Sequence, residues 1–180
     1  TAAIRKGGAR MDTYGGVSDI VPFEEALAIL SLPSARVIGK EARCGGELGN
    51  TAPALAEATL HSPAWAVLEA LPRLMPYGLG WTCDYDPATD TFSYIVGVLT
   101  PAGTPVPEGF IHRDIGGTLC ARGLLGEDAG RTAERARALG YVADWEHSPW
   151  NSEFYIPEEE AGWTREDCLP CRWLVPVRRA

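Results

Sequence analysis

A glutamate inside an otherwise apolar strand pattern is the residue of this sequence most in need of a chemical explanation. In NSEFYIP (151–157) alternate positions share a face, which groups Asn151, Glu153 and Tyr155. A carboxylate in such a strand is costly to bury unpaired, so Glu153 is expected to meet water, an internal base or a ligand. The earlier segment GLGWTCDYD (78–86) groups Trp81, Cys83 and Tyr85 in the same way, and Tyr94 and Trp173 are expected to join from neighbouring strands. Aromatic faces around a carboxylate attract an organic cation, at about 0.5 to 2 kcal/mol per well-placed ring. Trp65 and Phe92 read instead as packing residues.

Other reactive side chains carry weaker signals. His61, His112 and His147 fall in different elements with no metal-ligand spacing. Cys168 and Cys171 form a CxxC pair, but no second pair completes a tetrahedral zinc site, so no metal or cofactor is expected. Cys83 is a remote candidate nucleophile because no histidine stands beside it in sequence. The run Glu158, Glu159, Glu160 reads as a solvated loop able to draw cations toward the site. No nucleophile elbow, phosphate-binding loop or dinucleotide fingerprint is present.

The net charge of −8 opposes nucleic-acid phosphates and anionic membranes. Neither is an expected partner. No run of about 18 apolar residues occurs, and TAAIRKGGARMD lacks a signal-like apolar stretch, so a cytoplasmic protein is expected. Five scattered cysteines, an odd number, do not form a secreted disulfide framework, and reduced thiols fit that compartment. Residues 1–10 precede Met11 and read as an expression remnant or upstream extension. At 180 residues one domain is expected, with residues 1–34 as an N-terminal extension and 35–180 as the folded domain.

These side chains need elements to hold them. ARVIGKEARC (35–44) reads as a strand, and 50–75 as two short helices broken by Pro63 and Pro72, with Asn50 and Thr51 as candidate caps. Residues 78–86 and 91–100 read as a hairpin around DPATD, followed by a connector at 100–109 with three prolines and two glycines. The order then returns: strand within 110–126, helix within 127–145 stopped by Gly140, and a hairpin from 151–157 and 171–177. CDYDP (83–87) lies against EFYIP (153–157), YIVGV (94–98) against WLVPV (173–177), and RVIGK (36–40) against TLCAR (118–122) in pattern. Two βαββ repeats, about 35–100 and 110–180, follow. The predicted fold is α+β: an antiparallel sheet with pseudo-twofold symmetry, helices on one face and a ligand pocket between the halves, the other face being free to curve around a ligand.

This order, with LCARGLLGED (119–128) leading into a helix, Gly140–Tyr141, Glu153–Phe154–Tyr155 and the final WLVPV, resembles the GyrI-like small-molecule-binding domain. That family includes effector-binding modules of multidrug-responsive transcription activators. The resemblance implies that Glu153, with Tyr155, pairs with lipophilic cations in an aromatic pocket, with Tyr94 in the matching strand of the first half. No DNA-binding helix-turn-helix is expected before residue 35, so a standalone member acting as sensor or sequestering protein is the expected function. The alternative is a hydrolase of electrophilic cyclopropane-bearing natural products, with Glu153 as acid or base and Tyr155 or Tyr94 as its hydrogen-bond partner. The expected partner is a lipophilic cationic small molecule, with a homodimer left open.

Overall fold

Glycine and proline divide this chain into strands of unequal length. The computed structural model describes residues 27–156 and 171–180. In chain order these hold β1 (Ala28–Leu32), β2 (Ala35–Gly45), α1 (Ala52–Leu60), α2 (Pro63–Glu69), β3 (Leu79–Asp86), β4 (Thr91–Pro101), β5 (Ile111–Ile115), β6 (Thr118–Arg122), α3 (Ala129–Ala138), β7 (Tyr141–Ala143), β8 (Asn151–Tyr155) and β9 (Cys171–Arg179). The region 110–126, expected as one strand, is two, because Gly116 and Gly117 turn the chain between β5 and β6. β1 was not expected, and with it the sheet extends into residues assigned to the N-terminal extension.

All strand pairs are antiparallel, in the order β1-β6-β9-β8-β3-β4-β2-β5, with β7 added beside β9. Reading outward from the central β3–β8 pair, β4 and β2 follow on one side, β9 and β6 on the other. This is the duplicated βαββ arrangement. The outermost strands are exchanged: β1, which leads into β2, lies on β6, and β5, which leads into β6, lies on β2. Only Pro33–Ser34 separates β1 from β2, and only Gly116–Gly117 separates β5 from β6. The two ends of the sheet are therefore brought together, and the sheet curls into a half-barrel.

Alternation along the strands then sorts side chains between two faces. The face inside the curl carries Leu30, Leu32, Val37, Leu79, Trp81, Ile95, Leu99, Phe154 and Leu174, all buried, with Trp150 and Met75 packed among them. This corrects the expectation that the helix-free face is open to a ligand: it is the main core. The opposite face carries the three α-helices of the described residues. α1 and α2 pack near β2 and β4 over Cys44, Tyr94, Val96, Ile38 and Val98, and α3 packs over Ala121, Val175 and Val177.

Local signals explain the helices. Pro63 opens α2 as its first residue, where its missing N–H costs nothing. Asp128 caps α3, its carboxylate accepting from the Arg131 N–H at 2.8 Å, and Gly140 ends the helix at φ +82°. At α1 the two candidate caps divide their work: Asn50 Oδ1 accepts from the Ala52 N–H at 3.3 Å, while the Thr51 hydroxyl donates to the Arg43 carbonyl at 2.7 Å and ties the helix to β2.

Candidate functional site

Between the two helix groups, the central strands β3 and β8 present the residues that share Glu153's face. Register places Gly80 opposite Glu153 and Thr82 opposite Asn151 across the β3–β8 pair. It also sets Thr82 opposite Tyr94, and Glu153 opposite Trp173. Residues directly opposed in an antiparallel pair point to the same face. Glu153, Tyr155, Tyr94 and Trp173, singled out in the sequence, therefore share this face.

Their hydrogen bonds form a chain. The Tyr94 hydroxyl donates to Glu153 Oε1. The Tyr155 oxygen lies 2.7 Å from the Tyr94 oxygen and 3.3 Å from Glu153 Oε1. Each phenol has one proton, and that of Tyr94 is committed to the carboxylate, so the Tyr155 hydroxyl is the donor to both the Tyr94 oxygen and Glu153 Oε1. Burial pushes both phenols well above their ordinary range, followed by the neighbouring Tyr155 and Glu153 for Tyr94, and by Glu153 for Tyr155. Both rings stay protonated and act as donors. Among the described residues Glu153 has no cationic partner, and Oε2 of its carboxylate accepts no hydrogen bond. Glu153, Tyr155 and Trp173 are half-buried, whereas Tyr94 is buried.

A glycine makes this contact possible. A methyl group at Gly80 would sit 1.9 Å from the Tyr94 hydroxyl oxygen and 2.9 Å from Glu153 Oε1. The backbone of β3 is thus the floor on which phenol and carboxylate meet. A glycine inside a strand marks such close approaches, and Gly80 is a site residue that the sequence reading passed over although the signal was there. Trp145 was passed over, whereas Trp65, expected as a packing residue, does pack against the Ile38, Leu68 and Val98 cluster and also borders the site. A methyl group at Gly78 would lie 2.5 Å from the Trp65 ring, which puts that indole on the sheet beside Tyr155, whose N–H donates to the Gly78 carbonyl at 3.0 Å. Trp145, 45% exposed, donates from Nε1 to Asn151 Oδ1 at 2.8 Å on the other side of Glu153.

Three expected site residues lie elsewhere. Trp81 faces the interior of the curl, 1% exposed, with its ring stacked on Trp150 at 4.2 Å between centroids. Cys83 lies on the same interior face, and burial first, then the charge of Asp84, pushes its thiol up to about 12, which removes the thiolate a nucleophile needs. Tyr85 is 59% exposed at the hairpin tip, bonded to Asp90 at 2.9 Å. The cause is an irregularity between Cys83 and Asp86, with Asp84 at φ 52°, which breaks the alternation assumed there.

The three histidines lie apart, each beside an acid: His61 at Glu57 (3.5 Å), His112 at Asp114 (4.0 Å), His147 at Asp144 (2.8 Å). Among the described residues no group of three or more His, Cys, Asp or Glu is arranged to hold a metal ion, and no helix is long and apolar enough to cross a membrane. Cys168 and Glu158 to Glu160 lie outside the described residues.

No family model and no curated protein matches the chain in sequence. Solved structures do match. SAV2435, solved bound to tetraphenylphosphonium, superposes with a TM-score of 0.58 at 9% identity, over 85% of this chain and 94% of that one. A candidate bacterial transcription regulation protein from Staphylococcus aureus MU50 superposes with a TM-score of 0.54 at 11% identity, over 85% of this chain and 98% of that one. The likeness is one of fold, and it agrees with the resemblance to the GyrI-like small-molecule-binding domain.

Proposed function

We propose that this chain is a small-molecule-binding protein that takes lipophilic organic cations on the helix-bearing face of its central strands. One observation carries the reading: the Glu153 carboxylate stands among Tyr94, Tyr155 and Trp173 without a cationic partner among the described residues. A protein that needed this charge for its own structure would pair it. Here two phenols fix the carboxylate in place and leave the charge for a guest. Trp65 and Trp145 stand on either side as further aromatic surface, so affinity comes from stacking plus charge and tolerates variation in ligand shape. The similar fold of SAV2435, solved with the lipophilic cation tetraphenylphosphonium, supports the same ligand class here.

Hydrolysis by Glu153 is less well supported. Oε1 of the carboxylate is already engaged by the Tyr94 hydroxyl, and phenols held protonated by burial are not bases. Incubation with a cyclopropane-bearing alkylating compound, followed by mass spectrometry, should show no water addition.

Titration of a rhodamine dye into wild type and Glu153→Gln tests the main reading. Removing the charge while keeping the shape should weaken binding by about 1.5 to 3 kcal/mol, a factor of ten or more in dissociation constant. A neutral planar compound of similar size should lose far less. Equal dye affinity in the two proteins would defeat the counter-charge role.

A further inference from the structure

We infer that the site prefers cations that carry an N–H donor over cations of the same shape and charge that carry none; this rests on the cation-binding reading above. The two oxygens of Glu153 are not equivalent. Oε1 sits over Gly80, receives the Tyr94 hydroxyl and lies 3.3 Å from the Tyr155 hydroxyl. Oε2 has no hydrogen-bond partner among the described residues, and in this half-buried side chain it is not a fully buried atom, so solvent can reach it. The two oxygens of a carboxylate together accept about four hydrogen bonds, and an ionised oxygen stripped of water without a new donor retains its full desolvation penalty.

A flat aromatic cation stacked against Trp173 and Tyr155 would shield Oε2 from solvent. A quaternary or phosphonium centre supplies charge but no proton. A protonated amine, an amidinium or a protonated ring nitrogen supplies both, and its N–H···Oε2 contact is the charge-assisted kind. The tyrosines cannot substitute: the Tyr94 proton is committed to Oε1, and the Tyr155 hydroxyl is turned to Oε1 and the Tyr94 oxygen. Gly80 contributes by letting Oε1 reach the sheet floor, which leaves Oε2 as the oxygen open to a guest.

Acridine orange, a cation with a ring N–H at neutral pH, and its 10-methyl derivative, the same ring system and charge with N–CH3 instead, are a matched pair of probes. Wild type should bind acridine orange on the order of tenfold more tightly than the methyl derivative, and the ratio should collapse toward one in Glu153→Gln. Glu153→Asp, which keeps the charge but withdraws it by one methylene, should also shrink the ratio and serves if the Gln variant does not fold. Equal affinity of both dyes for wild type, with both weakened in Glu153→Gln, would overturn the donor preference and leave the cation site standing. A preference undiminished in the variants would remove it from Glu153. Failure of both dyes to bind would overturn this inference and the function it rests on together.

Discussion

The two halves of the sheet hold different residues at one equivalent place. In the first half Tyr94 on β4 faces Thr82 on β3; in the second Trp173 on β9 faces Glu153 on β8. Two positions earlier on the same face stand Gly80 and Asn151. The scaffold is duplicated and the chemistry is not. One half supplies a phenol and a bare backbone; the other supplies the charge and a hydrogen-bonding amide. The carboxylate crosses the boundary to be held by the first half's phenol, which makes the site a property of the pair. A symmetric site with two glutamates would place like charges near each other, and each would raise the cost of the other.

Changes at these unequal positions should have unequal effects. Gly80→Ala should act most strongly, since its methyl group would displace both Tyr94 and Glu153. Overpacking at a buried strand position costs about 1 to 3 kcal/mol, read from urea melts, and rhodamine binding should fall with it. An unchanged melt would show that the halves approach less closely than the structure indicates.

Alkaline pH offers the next largest effect. Unfolded tyrosine titrates near pH 10, and both buried phenols titrate higher in the folded protein. The folded state thus retains protons that the unfolded chain gives up. Stability is fully present below about pH 10 and falls as pH rises beyond it, by about 1.4 kcal/mol per pH unit for each phenol. Melts between pH 9 and 11 on wild type and Tyr94→Phe should show a shallower fall in the variant; parallel curves would mean that Tyr94 is not held protonated.

Asn151→Ala, at the place matching Gly80, should lose the Trp145 contact and cost about 0.5 to 1.5 kcal/mol, the usual worth of one hydrogen bond. Cation binding should weaken less than in Glu153→Gln. Tyr85→Phe should change dye affinity by less than a factor of two, because Tyr85 lies at the hairpin tip; a larger loss would extend the site to a region the geometry excludes.

The strand, helix and hairpin that make up the centre of each half were legible because Pro63, Gly140 and the connector at 100–109 act locally, whereas the split into β5 and β6 and the short β7 were not. The grouping of Glu153, Tyr155, Tyr94 and Trp173 was legible for a related reason: strand alternation and neighbouring strands in a hairpin. What alternation does not reveal is which face is the core. Trp81 and Cys83 were grouped correctly with each other and given to the wrong face, since a tryptophan suits a ligand wall and a core stack alike. The residue-level match of the repeats failed similarly. Aligning Cys83 with Glu153 pairs an interior residue with a site residue, whereas the registers make Thr82 the counterpart, one residue away. Tyr85 was displaced by a bulge that nothing in CDYDP announced. β1 escaped notice because its partner, β6, is distant in sequence, and no local pattern reports such a pairing.

The exchange of β1 and β5 between the halves bears on how the chain reaches this state. β1 and its partner β6 lie some 90 residues apart in the chain. Until β6 is in place Ala28, Leu30 and Leu32 have no partner strand, and one edge of β2, whose other edge pairs with β4, waits for β5. Contacts of such long sequence separation carry a loop-closure cost that must be met before they reward the chain, which places this fold among the slow folders of its size. The first half cannot complete its edges alone, so folding, like the site, belongs to both halves at once.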